Sequence, residues 1–224
     1  MEENKTGAKN SSTQQIAGAI IVAGIIIGGA ILLKDNNSAQ RVDERPIAKT
    51  IGLNVKAFDA CLESGKFKDK VQASIDDGTQ AGVNGTPSSF ILKDGMVIDT
   101  IAGAQTFAKI MEQIKNSEKN DKKALDIKIA PVAPDDHIRG DANAKIIIVE
   151  YSDLDCPFCK TFHRTMNQVI DQKEINVAWV YRHYPLSQIH PGAFQKAEET
   201  ECAWEQKGNE GFWKYADALF ETAR

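Results

Sequence analysis

No part of this sequence gathers basic residues into a stripe. Its 27 lysines and arginines are spread through 224 residues with 31 acidic ones, for a formal net charge of −4. A surface able to track phosphates is therefore missing, and nucleic acid is not an expected partner. Cysteine is scarce: Cys61, Cys156, Cys159 and Cys202 are all there are, too few for a disulfide-built scaffold. None is required, since a chain of this length can bury one sizeable core and still carry an appendage. There is no internal repeat, so the domain is not a stack of repeated units.

Charge is absent altogether from Ile16 to Leu33, IAGAIIVAGIIIGGAILL. As a helix this run reaches roughly 27 Å, about the hydrocarbon thickness of a bilayer. Polar tails on both sides argue against a buried core helix. A cleaved signal peptide is the rival, but the run is longer than a usual signal's apolar region and no clear small-X-small site follows it. The expectation is an uncleaved single-pass anchor, with residues 1–35 as tail and transmembrane helix. Lys5 and Lys9 ahead of it favour the N-terminus inside and the remainder on the extracytoplasmic side, periplasmic or at the cell surface. Gly24 and Gly28 form a G-X-X-X-G, a weak dimer signal in so glycine-rich a run.

Beyond a polar stalk over residues 34–46, periodicity predicts α/β structure. VKAFDACLESG places Val55, Phe58 and Leu62 on one helical face, with Gly65 as the stop. A second helix runs from about Phe67 to Asp77 and ends at Gly78. SSFILK and MVIDTIAG are β-rich runs around Asp94-Gly95, a hairpin signal. TFAKIMEQIKN follows as an amphipathic helix. Residues 117–144, rich in charge and proline, form a linker with room for one short strand. KIIIVEYS is apolar enough for a strand covered on both faces. A turn and helix come next, then the strand NVAWVYRHYP, then two helices broken near Gly208.

The turn carries CPFC. A Cys-X-X-Cys between a buried strand and a helix puts its first thiol at the helix N-terminus. Unpaired N–H groups and the dipole there lower the thiol pKa from about 8.5 into the range ~3.5 to 7.5. Cys156 is the expected reactive thiolate. Cys159, one turn on, lies on the same face, able to close or resolve a disulfide. Pro157 costs no hydrogen bond, because the N–H it lacks would be an orphan. Zinc is the alternative for such a pair, but the further ligands at hand, His163, His183, His190, Cys61 and Cys202, are scattered. Haem attachment would need histidine where Lys160 stands. Glu150 either points to solvent or is a buried acid of raised pKa that relays the proton of Cys159.

HIRGDANAKIIIVEYSDLDCPFCKTFH, residues 137–163, resembles the DsbA-like thiol:disulfide oxidoreductases, a thioredoxin fold with a helical insertion, and the likeness continues through YRHYPLSQIHPGAFQKAEETECAWEQKGNEGFWKYADALF. GVNGTPSSFILKDG resembles the family's cis-proline loop, with insertion helices before it and the last strand and helix after it. The two halves stand in exchanged order: a proline-loop half at 38–116, the linker, then a Cys-X-X-Cys half at 145–224, together making one domain over 36–224. That order implies a circular permutation, and the linker's 28 residues could span roughly 90 Å against a domain diameter of about 40 Å. Exchange of halves between two chains, or an artificial order, would look the same.

The resemblance implies a cis Thr86-Pro87 bond packed against the redox pair. Thr86, Pro87, Pro157 and Phe158 would then face an unfolded substrate strand. Histidine in place of Phe158 would further stabilise the thiolate, which puts a strongly oxidising potential in doubt. Cys61 and Cys202 match insertion positions where some relatives carry cysteines; they are either a second, structural disulfide or two buried thiols. The implied activity needs no cofactor and no metal. It acts on thiol-containing, unfolded proteins and is coupled to a membrane redox partner, DsbB-like or VKOR-like. Reduction or isomerisation by the same residues, and a tethered binding or chaperone module, are the alternatives.

Overall fold

The run IIIVEYS can hide its side chains only in the middle of a sheet covered on both faces, and the fold is built around it. In a computed structural model of the chain, the described residues are 45–119, 123–172 and 174–222, all within the unit Val42–Arg224. The apolar run Ile16–Leu33, with the anchor expected of it, lies outside them. Among the described residues, no helix is long and apolar enough to cross a membrane.

In chain order the elements are α1 (Arg45–Thr50), α2 (Val55–Ser64), α3 (Lys68–Gln80), β1 (Ser88–Lys93), β2 (Met96–Ala102), α4 (Phe107–Lys119), β3 (His137–Gly140), β4 (Ile146–Ser152), α5 (Pro157–Ile170), β5 (Val177–His183) and α6 (Ala193–Thr222). The described strands form one sheet in the order β2-β1-β4-β5-β3. β4 and β5 run parallel, while β1 is antiparallel to both β2 and β4 and β3 is antiparallel to β5. This is the thioredoxin-like α/β arrangement. β1 belongs to the proline-loop half and β4 to the Cys-X-X-Cys half, so the sheet is completed within one chain. No exchange of halves between copies is needed.

Local chemistry explains most boundaries. Asn54 caps α2 by accepting from Ala57 N at 3.0 Å, and Gly65 ends it with a left-handed φ of 62°. Asp94 and Gly95 both take positive φ, 52° and 76°, as a two-residue hairpin turn of this hand requires. A bulge opposite Ile91/Leu92 lets β2 carry one extra residue. The apolar face of α5, Phe162, Met166 and Val169, is fully buried. α6 is two helices joined by non-helical Lys207 and Gly208, the break expected near Gly208.

Two readings change. Gly78 does not stop α3; the helix runs past it to Gln80. A Cβ there would meet Tyr151 at 2.7 Å and Tyr184 at 2.8 Å, so the glycine is set by tertiary packing rather than by chain reversal. The linker, besides supplying β3, is docked: Leu125 N donates to Val97 O at 2.8 Å and Ala130 N to Asp77 Oδ1 at 2.7 Å. Its Ile127, Ile129 and Val132 pack on a core of Val83, Phe90, Leu92, Val149, Tyr151 and Val180. The opposite, larger core joins Ile91, Ile98, Ile148, Trp179 and Tyr181 of the sheet to α1, α2, α4, α5 and α6.

Cys61 of α2 and Cys202 of α6 form a disulfide, with Cα atoms 5.9 Å apart across 141 residues of sequence. Such a cross-link restricts the unfolded chain far more than the folded one. Replacing both cysteines with alanine is expected to lower unfolding free energy by about 2–4 kcal/mol, read from urea titrations without reductant. An unchanged midpoint would show that the bridge constrains nothing.

Candidate active site

β4 ends at Ser152, and the chain turns through Asp153, Leu154 and Asp155 to Cys156, whose extended φ and ψ of −77° and 123° place it as the cap before α5. Pro157 opens the helix at no cost in hydrogen bonds. Cys156 and Cys159 are free thiols. Cys156 is only 5 % exposed and Cys159 fully covered, yet Phe158 between them stands 66 % exposed. Pro157 is also exposed. An exposed apolar rim thus flanks a nearly covered sulfur.

Pro87 comes to this turn because β1 pairs with β4: Ser88 lies opposite Tyr151 and Ser89 opposite Glu150. The Thr86-Pro87 peptide bond is cis. The Cys156 thiol donates to the Thr86 carbonyl at 3.5 Å, across 70 residues of sequence. Thr86 and Pro87 thus adjoin the Cys-X-X-Cys turn, and Cys61 and Cys202 stand apart from it in their own bridge.

The two thiols differ sharply in acidity. A hydrogen bond from Cys159 holds Cys156 down at about 5, against burial, with help from the Cys159 and Phe158 backbone and from Thr86. The Thr86 hydroxyl has no partner in the dithiol form, which leaves it available to the thiolate. Burial pushes Cys159 far up, and donation to Cys156 and the nearby Glu150 carboxyl push it further. One proton shared between two sulfurs belongs to the inner one.

Glu150 is 1 % exposed and turned inward, which removes the reading of a solvent-edge carboxylate. Burial raises its pKa from 4.5 to about 8, opposed by hydrogen bonds from Ser152 and Trp179. Trp179 Nε1 donates to Oε2 at 2.8 Å, while Oε1 has no partner. Ser152 lies two residues along β4 on the same face, and Tyr181 is Glu150's register partner on β5. Both hydroxyls are buried there, Ser152 facing Glu150, Cys159 and Tyr181, so the acid sits in a pocket of polar atoms beside Cys159. Sequence reading missed Ser152, Tyr181 and Trp179. Period-2 alternation could have found Ser152, but the other two require the β4–β5 register.

The histidines weighed as zinc ligands are elsewhere engaged. His163 Nε2 bonds Asp217 at 2.6 Å, and His190 Nδ1 bonds Asp153 at 2.8 Å. Among the described residues, those able to hold a metal are His137, His183 and Glu201, with ligand atoms within 4.8 Å of one another. Their carboxylate is already met by three donors: His137 Nε2 at 2.7 Å, His183 Nε2 at 3.1 Å and Lys70 Nζ at 2.9 Å. Burial works against the Glu201 charge, but the two imidazoles hold its carboxyl below the usual range. A cation would face Lys70 and would leave His137 Nδ1, which is buried without a partner, as an unsatisfied donor. The trio is a buried ionic cluster.

Residues 132–224 match the family described as Thioredoxin, and residues 30–115 the family described as DSBA-like thioredoxin domain. The chain is 38% identical over 94 residues to the Na(+)/H(+) antiporter NhaA 1 of Mycolicibacterium vanbaalenii, covering 42% of this chain and 15% of that protein. It is 38% identical over 92 residues to the Na(+)/H(+) antiporter NhaA 3 of Salinispora tropica, covering 41% and 14%. The chain therefore spans about one seventh of these relatives, whose names describe far longer proteins. Among solved structures, Pseudomonas aeruginosa DsbA2 aligns at 38% identity over 40% of this chain and 50% of that one, with a TM-score of 0.37.

Two measurements test the electrostatics. Iodoacetamide alkylation of Cys156 should rise with a midpoint near pH 5, and Cys159→Ala should move it upward; a midpoint unmoved in that variant would remove Cys159 as the main stabiliser. Glu150 is protonated in both folded and unfolded chains below pH 4.5; from there through about 8 only the unfolded chain ionises, so the fold loses stability. Glu150→Gln should gain on the parent across that window by a few kcal/mol, in denaturation at stepped pH. A pH-independent difference would mean the carboxyl ionises normally.

Proposed function

We propose that this DsbA-like thioredoxin-fold domain, a thiol:disulfide oxidoreductase, is a membrane-anchored extracytoplasmic oxidase that introduces disulfides into folding proteins. The observation that carries the direction is the disparity between the sulfurs: Cys156 at about 5 and Cys159 raised by burial. A low-pKa thiolate is a good leaving group, and its stability favours the reduced enzyme over the reduced substrate.

The reaction starts from a Cys156–Cys159 disulfide. A substrate thiolate attacks Cys156 Sγ; the S–S bond breaks, and Cys159 leaves with the electron pair and takes a proton from Glu150. A second substrate thiolate then attacks the substrate sulfur of the mixed disulfide and displaces Cys156 as a thiolate. The substrate has lost two electrons and two protons, one proton restoring Glu150 and one going to solvent, and the enzyme holds a thiolate and a thiol. Phe158, Pro157, Thr86 and Pro87 receive the substrate segment. A DsbB-like or VKOR-like membrane partner accepts the electrons in turn. The anchor is the apolar run Ile16–Leu33, and the Cys61–Cys202 bridge suits an oxidising compartment.

Phe158 supports a second reading, a reductase or isomerase, because it supplies no charge to the thiolate. Equilibration with glutathione buffers separates the two: the oxidase should be markedly more oxidising than thioredoxin, and a value near about −270 mV would sink the oxidase reading. Cys156→Ala should abolish oxidation of a dithiol peptide; persistence of activity would leave only a tethered binding or chaperone module.

A further inference from the structure

The turn that carries the redox pair is tied together by a carboxylate that the disulfide chemistry leaves unused. The Asp153 side chain is fully covered. Its Oδ1 accepts from Asp155 N at 2.7 Å, and its Oδ2 accepts from Leu186 N at 2.7 Å and pairs with His190 Nδ1 at 2.8 Å. Its backbone touches both cysteines: Asp153 N donates to Cys159 Sγ at 3.4 Å, and Asp153 O accepts from Cys156 N at 3.1 Å.

We infer that Asp153 is a positioning residue for the redox pair, its carboxylate locking the 153–156 turn so that one peptide group holds Cys159 sulfur and the next addresses Cys156. The inference rests on the thiol:disulfide reading of the site. A buried carboxylate persists only where donors surround it, and here two are backbone N–H groups and one an imidazole. Two of the three come from the loop after β5, so that loop and the turn set each other's place. Asp155 does no such work: its carboxylate pairs with Lys196 at 2.6 Å. The main stabiliser of the Cys156 thiolate is the Cys159 hydrogen bond. Whatever fixes Cys159 sulfur therefore fixes the acidity of Cys156.

The sign of one measurement separates positioning from a plain charge effect. As a mere negative charge near a thiolate, Asp153 would raise the Cys156 pKa, and removing it would lower that pKa. As a positioning residue it does the reverse.

The experiment is the pH profile of iodoacetamide alkylation at Cys156 in the reduced full chain. Asp153→Ala is expected to raise the midpoint by about one pH unit, roughly tenfold less thiolate below it. Asp153→Asn, which keeps an acceptor for Asp155 N, should stay close to the parent, as should His190→Ala, which cuts one loop tie. Should the alanine variant not fold, Asp153→Ser, with a single short acceptor, should give a smaller rise.

A midpoint that stays put or falls in the alanine or serine variant, with only melting temperature reduced, overturns the inference. The assay uses no protein substrate. A parent inactive toward dithiol peptides, together with the raised midpoint in Asp153→Ala, would end the oxidase reading and leave Asp153 its role.

Discussion

The pairing of β1 with β4 is the interaction on which the rest depends. Six successive residue pairs, from Ser88 opposite Tyr151 to Lys93 opposite Ile146, join the two halves of the domain. Strand side chains alternate between faces, so a slip of one residue would turn Ile91 out of the larger core and move Phe90 into it. The same slip would carry Pro87 away from the Cys156 turn. Core packing and the redox site are thus held by one register, and a sequence that satisfies the first satisfies the second.

Ionisable groups inside this frame are met in two ways. Glu201 and Asp217 keep their charge because donors surround them: His137, His183 and Lys70 in one case, His163 and Arg139 in the other. Arg182 likewise sits between Asp77 and Asp136, with Tyr151 hydrogen-bonded into the same group. Glu150 differs, its donors being the neutral Trp179 indole and Ser152 hydroxyl. An acid met by neutral donors is costly to ionise in a core. Its position beside Cys159 is the place where a group that takes and returns a proton has a use.

Features read from short stretches came through. The Asp94-Gly95 hairpin, the Gly65 stop, the largely apolar β4 and the amphipathic α4 are each set by neighbours in sequence. Gly78 was misread because its reason lies in Tyr151 and Tyr184, far along the chain. The linker looked like a spacer because its charges outnumber Ile127, Ile129 and Val132, yet those three pack on the sheet. At the site, CPFC stood out alone, and Thr86-Pro87 entered only through family resemblance. Asp153 and Tyr181 remained illegible, since an aspartate or tyrosine near a strand end says nothing until the strand across from it is known.

The Cys61–Cys202 bridge has a consequence for how the chain is made. Synthesis delivers its thiols in the order Cys61, Cys156, Cys159, Cys202. An oxidant that joined them as they emerged would link Cys61 to Cys156 and Cys159 to Cys202, and both bonds would be wrong. With the halves in the opposite order, the same rule would deliver Cys156 with Cys159 and then Cys202 with Cys61, both right. Exchanging the halves leaves the folded domain intact but turns maturation from simple succession into a task of proofreading, in which early thiols must wait or be reshuffled.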